Sequence, residues 1–187
     1  MENKTESTVA PAIDLSPFCD PDASRYAIAK PWTKDGKRYA TDGRVAVRLD
    51  VPGQPDEVPE GKVPNVDSIL SPVDGKWLLW PKVEPCEACD GTSVVDCKKC
   101  YDGKCESCSC GTVHECGRCE GSGQVKCDAC FDRGFRPLFG EAELSRFYAW
   151  NIGKLTNAVY LPADAEGVVR FRFDGGDGAV ASLRKQD

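Results

Sequence analysis

Eleven of the twelve cysteines fall between Cys86 and Cys130, eight of them in four Cys-x-x-Cys pairs. These pairs are mirror-placed about position 108: Cys86 answers Cys130, Cys89 answers Cys127, Cys97 answers Cys119, and Cys100 answers Cys116. A chain doubled back near Cys108 brings the outermost pairs together and, separately, the inner two. The spacing thus predicts two nested sites of four thiols. The first is Cys86, Cys89, Cys127 and Cys130; the second is Cys97, Cys100, Cys116 and Cys119. Four sulfurs converging on one point suit tetrahedral zinc. At the fold-back, Cys105, Cys108, Cys110 and His114 have an order that could close a third site, with imidazole as the fourth ligand. The alternative there is a loop with spare thiols. Zinc is therefore the expected cofactor, as two ions or three.

A site saturated by four thiolates keeps no position open for water or substrate, so its metal is expected to be structural rather than hydrolytic. Few large hydrophobes lie near the pairs. Metal must then supply most of the folding free energy of this stretch, and structural zinc in small finger peptides contributes about 10 to 16 kcal/mol. Thiol-disulfide exchange is a competing use of Cys-x-x-Cys, but no thioredoxin-like strand-helix context surrounds these pairs. Cys19, alone beside Phe18, reads as a small buried hydrophobe.

The first residues are polar, and no window has the length and apolarity of a membrane span, so a cytoplasmic protein is expected. Thiols are kept reduced there, which favours metal over disulfides. Each site of four thiolates and one zinc dication carries −2, so two of them take the formal charge from −6 to −10. General attraction to nucleic acid is not expected from that balance. No nucleophile triad, phosphate loop or paired-carboxylate motif is evident, and the chain reads as non-enzymatic.

The flanks read as α+β. Residues 1–11 form a polar tail expected to be disordered. Strands are expected over 25–33, 37–41 and 43–50, the last with Val45, Val47 and Leu49 facing a core and Arg44, Ala46, Arg48 and Asp50 facing water. Four prolines and two glycines make 51–64 a surface loop. A short helix capped by Asn65 and a strand over 76–80 follow. Beyond the cysteines, a helix is expected over 141–152, closed by Gly153, and then strands over 158–161, 168–174 and 179–184. Arg44, Arg48, Arg170 and Arg172 read as a solvated sheet face rather than a phosphate-binding stripe.

Two resemblances add to this reading. Cys116-Gly117-Arg118-Cys119-Glu120-Gly121-Ser122-Gly123 matches the Cys-x-x-Cys-x-Gly-x-Gly repeat in full, and Cys86-Glu87-Ala88-Cys89-Asp90-Gly91 matches it in part. The stretch thereby resembles the cysteine-rich zinc domain of the DnaJ-type chaperones, whose sites also pair first with fourth and second with third. Glycine is displaced in the other two pairs, to Gly103 and Gly134, and the His-Pro-Asp motif of a J-domain is absent. The resemblance implies peptide binding and not recruitment of a partner ATPase. The segments Arg25-Tyr26-Ala27 and Tyr39-Ala40-Thr41-Asp42-Gly43-Arg44-Val45-Ala46, with Val63-Pro64 before a short helix, are similar to one domain of a bacterial sliding clamp. That likeness implies a discontinuous domain over 12–83 and 137–187, each half a helix with about three antiparallel strands. A zinc-stabilised β-hairpin arm over 84–136 is inserted into it.

The expected function is a zinc-binding interaction module, chaperone-like or adaptor, whose arm meets a protein or peptide partner. An accessory factor of DNA replication, acting on DNA as an oligomer, is the second reading. A thiol-disulfide oxidoreductase is the third. No membrane partner is expected.

Overall fold

A computed structural model describes residues 13–98, 100–101, 104–105, 119, 122–131 and 137–183. The tail over 1–11, most of the fold-back and the end of the last expected strand lie outside the described residues.

The sheet begins at strand β1 (Trp32–Lys34), which pairs with β2 (Lys37–Thr41) through a two-residue turn. That turn holds Asp35 at φ +52° and Gly36 at φ +70°, the left-handed pair that a tight antiparallel hairpin needs. β2 pairs in turn with β3 (Val45–Asp50). Asp42 organises their connection, its carboxylate accepting from the backbone N–H of Arg44 at 2.8 Å and of Val45 at 3.0 Å. The short helix α1 (Val66–Ile69) is capped by the Asn65 side chain, which accepts from the Ser68 N–H, and β4 (Leu78–Leu79) follows.

The cysteine stretch contributes β5 (Val94–Asp96), β6 (Cys100–Tyr101), β7 (Lys104–Cys105), β8 (Gln124–Lys126) and helix α2 (Asp128–Phe131). Here β5 pairs antiparallel with β8, and β6 with β7. After it come the hairpin of β9 (Leu138–Phe139) and β10 (Ala142–Glu143), helix α3 (Arg146–Gly153), and strands β11 (Val159–Leu161), β12 (Val168–Phe173) and β13 (Gly176–Ala181).

Among the described residues, seven strands form one antiparallel sheet in the order β1-β2-β3-β13-β12-β11-β4. Its strands come from both sides of the cysteines: β13 pairs with β3, and β4 with β11. The fold is thus α+β with antiparallel sheets and few helices.

One face carries the main core. Ala40, Val45, Val47, Val169, Phe171 and Val180 point into it from the strands and meet Tyr148, Ala149 and Ile152 of α3. Two strand glycines make room for aromatic rings: a Cβ on Gly178 would lie 2.1 Å from the Phe171 ring, and one on Gly176 would lie 2.5 Å from the Phe173 ring. These are direct cross-strand pairs. Each ring covers its neighbour's backbone because no side chain stands in the way.

Several expectations need correction. The face read as wet carries a second, smaller core of Ile28, Trp32, Tyr39, Ala46, Val66, Leu70 and Ala179, closed by α1. Arg48 sits at its edge with its charge satisfied, donating to Asp177 at 2.9 and 2.7 Å and to Asp67 at 2.6 Å. The strand expected over 25–33 is confined to Trp32–Lys34. Pro31 has no N–H to give a ladder, and the outer edge of β1 is closed instead by Glu57, which exchanges backbone bonds with Thr33 at 3.1 and 2.8 Å. The strand expected over 76–80 is ladder only at Leu78–Leu79. The helix expected from 141 begins at Arg146, because Gly140 at φ +72° turns the chain into the β9–β10 hairpin. The last strand starts at Gly176 and not at 179, across a turn of Asp174 and Gly175.

Candidate metal centre

The centre is built from two loops at one end of the β5–β8 ladder. In the first, the Cys86 carbonyl accepts from the N–H of Cys89 at 3.2 Å and of Asp90 at 2.7 Å, which curls the Cys-x-x-Cys segment so that both thiols face the same way. Asp90 at φ +48°, Gly91 at φ +76° and Ser93 at φ +68° then turn the chain into β5. The Thr92 hydroxyl closes the turn, 2.6 Å from the Cys89 carbonyl and 3.1 Å from that of Val94. In the second loop, Cys127 donates its N–H to Ser93 O at 2.8 Å as β8 ends, and Cys130 follows on α2. The β5–β8 ladder therefore sets the two loops face to face.

The Sγ atoms of Cys86, Cys89, Cys127 and Cys130 all lie within 4.8 Å of one another, and all four residues are buried. Cys89 and Cys130 approach to 3.3 Å, and Cys86 and Cys127 to 3.9 Å. A tetrahedron with Zn–S bonds of about 2.3 Å has S–S edges of about 3.8 Å, so the donor set fits a dication of that size and softness. Electrostatics points the same way. Burial first, then the neighbouring thiols Cys89 and Cys86, push the Cys130 thiol up. Burial likewise raises Cys127. At Cys86 burial opposes ionisation, but the backbone N–H groups of Ala88 and Cys89 and the nearby thiols outweigh it and bring the group down to about 7. Four thiolates in so small a volume repel one another, and a dication between them reverses that balance.

The structure brings together all four residues of the first predicted site. Of the second, Cys97 and Cys119 are buried in one cluster with Val125. Cys100 lies on β6, and Cys116 lies outside the described residues. Of the third, Cys105 lies on β7, and Cys108, Cys110 and His114 lie outside the described residues. Cys19 is half-buried against the main core. Burial lifts its thiol to about 11, as suits packing rather than ligation.

The paired loops also carry an internal repeat that mirror placement alone does not express. Residues 86–100 and 116–130 follow one pattern at a constant offset of 30 positions: Cys-x-x-Cys, an acidic residue, Gly, Thr or Ser, two residues, Val, one residue, Cys-x-x-Cys. Their local bonding repeats too. Ser122 stands to the Cys119 carbonyl as Thr92 stands to that of Cys89, with N–H bonds of 2.9 Å and hydroxyl contacts of 2.6 Å in both. Gly123 at φ +76° matches Ser93, and Cys97 donates to Gly123 O at 2.8 Å just as Cys127 donates to Ser93 O. Val95 and Val125 face each other at the centre of the ladder. A local two-fold relation thus runs between these valines.

Sequence reasoning missed the contribution of α3. Phe147 lies against the thiol cluster, and the buried Ser145 hydroxyl donates to the Cys130 carbonyl at 3.1 Å. Neither residue is near the cysteines in a way that spacing could reveal.

Three of the four sheet arginines are engaged within the domain. Besides Arg48, Arg170 donates to the Ile69 carbonyl at 2.7 Å, and the Arg172 guanidinium lies 4.3 Å from the centroid of the Trp77 ring. Among the described residues, no helix is long and apolar enough to cross a membrane. No family model, curated protein or solved structure matches the chain.

Proposed function

We propose that this chain is a non-enzymatic zinc-binding interaction module, chaperone-like or adaptor, in which a clamp-like domain carries a DnaJ-like arm that meets a protein or peptide partner. The observation that carries this reading is the set of four buried thiols within 4.8 Å at the arm's base. Zinc held there by four sulfurs has no free position, so its work is to hold backbone in place. The two-fold relation extends the same reading to Cys97, Cys100, Cys116 and Cys119, since it exchanges them with the first four. Two ions then brace the arm along its length, and Cys105, Cys108, Cys110 and His114 are the set for a third.

Strand addition is the mode of contact that suits such an arm. Among the described residues, β5 and β8 form a sheet of only two strands, so each keeps an outer edge that an extended peptide can pair with. Main-chain pairing needs few charges, which agrees with a chain of net charge −6 and with sheet arginines already engaged. The test is binding to a denatured client protein by the intact chain, by a deletion of residues 86–130, and by Val94→Asp on the half-buried face of β5. Binding should vanish in the deletion and weaken about tenfold, about 1.4 kcal/mol, in Val94→Asp. Equal binding by all three would refute the proposal.

A further inference from the structure

Helix α3 belongs to the sheet domain by its core-facing side, yet its first turns touch the arm's base at four points. Ser145 occupies the N-cap position of α3, but its hydroxyl makes no cap bond. It donates instead to the Cys130 carbonyl, in a buried contact. Serine at this position ordinarily accepts from the helix's own free N–H groups, so here the hydroxyl serves the outgoing side of the metal loops. Arg146 serves the incoming side, its Nε donating to the Glu84 carbonyl at 3.1 Å, two residues before Cys86. Phe147 packs on the thiol cluster between them. Trp150, one turn on, backs the first loop: a Cβ on Gly91 would lie 2.6 Å from the indole Nε1. The helix itself is fixed from behind, where Ala149 and Ile152 are fully buried and the Ala149 carbonyl accepts from Trp80 Nε1 at 2.9 Å.

We propose that Ser145, Phe147 and Trp150 are positioning residues of the Cys86, Cys89, Cys127 and Cys130 centre, through which the sheet domain holds the thiols ready for metal and metal binding in turn stabilises the sheet domain. This rests on the metal reading above. Coupling of this kind is reciprocal: whatever docking adds to metal affinity, the metal returns to docking. Groups that orient ligands from behind commonly change metal affinity by about 10- to 100-fold when removed. The two centres should consequently differ, because α3 supports the first.

The experiment is competition of the full chain for zinc against a chromophoric chelator, together with cobalt substitution, whose thiolate charge-transfer bands report the bound sites. It compares the parent with Ser145→Ala, Phe147→Ala and Phe147→Leu. Ser145→Ala and Phe147→Ala should each weaken one class of site about tenfold and leave the other unchanged. Phe147→Leu, which still fills the space, should restore most of the affinity. The rise in Tm on adding zinc should shrink in the two weakened variants. Chains that keep the parent's Tm without metal but bind zinc with unchanged affinity in both classes would overturn the inference while leaving the metal reading intact. A parent chain that takes up no metal overturns both.

Discussion

Stripping metal from the folded chain with excess chelator is expected to abolish the structure of the arm and leave the sheet standing. The arm has little else to hold it. Its β5–β8 ladder is three residue pairs long, and an isolated two-stranded hairpin is marginal in water. Val95 and Val125, its central pair, are only half-buried. Against that stands about 10 to 16 kcal/mol from each structural zinc. Amide hydrogen exchange followed by mass spectrometry should therefore show protection lost across residues 86–98 and 122–130 on chelation. Protection in β2, β3, β12 and β13 should persist, with loosening confined to the first turn of α3. Uniform loss over arm and sheet, or retention in both, would contradict this division of labour.

The second large effect is expected at Phe171. It is 1% exposed, lies edge-on to Trp80 at 5.8 Å between centroids, stacks with Phe173 at 6.3 Å, and covers Gly178 on the neighbouring strand. Phe171→Ala should cost about 3 to 5 kcal/mol, since large-to-small core changes lose both transfer energy and packing. The site is poorly placed to recover. Gly178 has no side chain to move into the space, and Val169 and Val180 are held by their own ladder positions. Thermal denaturation should report a fall in Tm of about 10 °C. A change of less than about 1 kcal/mol would show that Phe171 does not anchor the core.

How much of this was legible in the sequence depended on whether a signal was local. Thiol positions carry their geometry in their spacing, so the first four-cysteine set could be read directly. The Asn65 cap was equally local. The start of α3 misled because Leu144 sits four residues before Tyr148 and is buried beside it. Helical periodicity therefore extends backwards into a β-hairpin, and only the turn at Gly140 interrupts it. The second core is hidden in the sequence because Tyr39, Ala46 and Ala179 share their face with Arg48 and Arg170. A polar rim around a small apolar centre reads, residue by residue, as a wet face. The α3 contacts to the metal loops join residues that only tertiary folding brings together. The 30-residue repeat, by contrast, was present in the sequence from the start and is a stronger statement than mirror placement, because it also predicts matching turns.

The proposed metal sites tie cysteines across the arm, outer pair to outer pair and inner to inner. Native mass spectrometry of the zinc-loaded chain beside Cys86→Ser/Cys89→Ser/Cys127→Ser/Cys130→Ser tests this. Two zinc ions per chain are predicted, or three where the set around Cys105 and His114 loads, and one fewer in the variant. Its remaining inner centre should keep four sulfur ligands at about 2.3 Å by X-ray absorption. A metal-free parent, a variant that retains the parent's full complement, or a variant that loses both four-thiol centres, as metal sharing between neighbouring pairs along the chain requires, would contradict it.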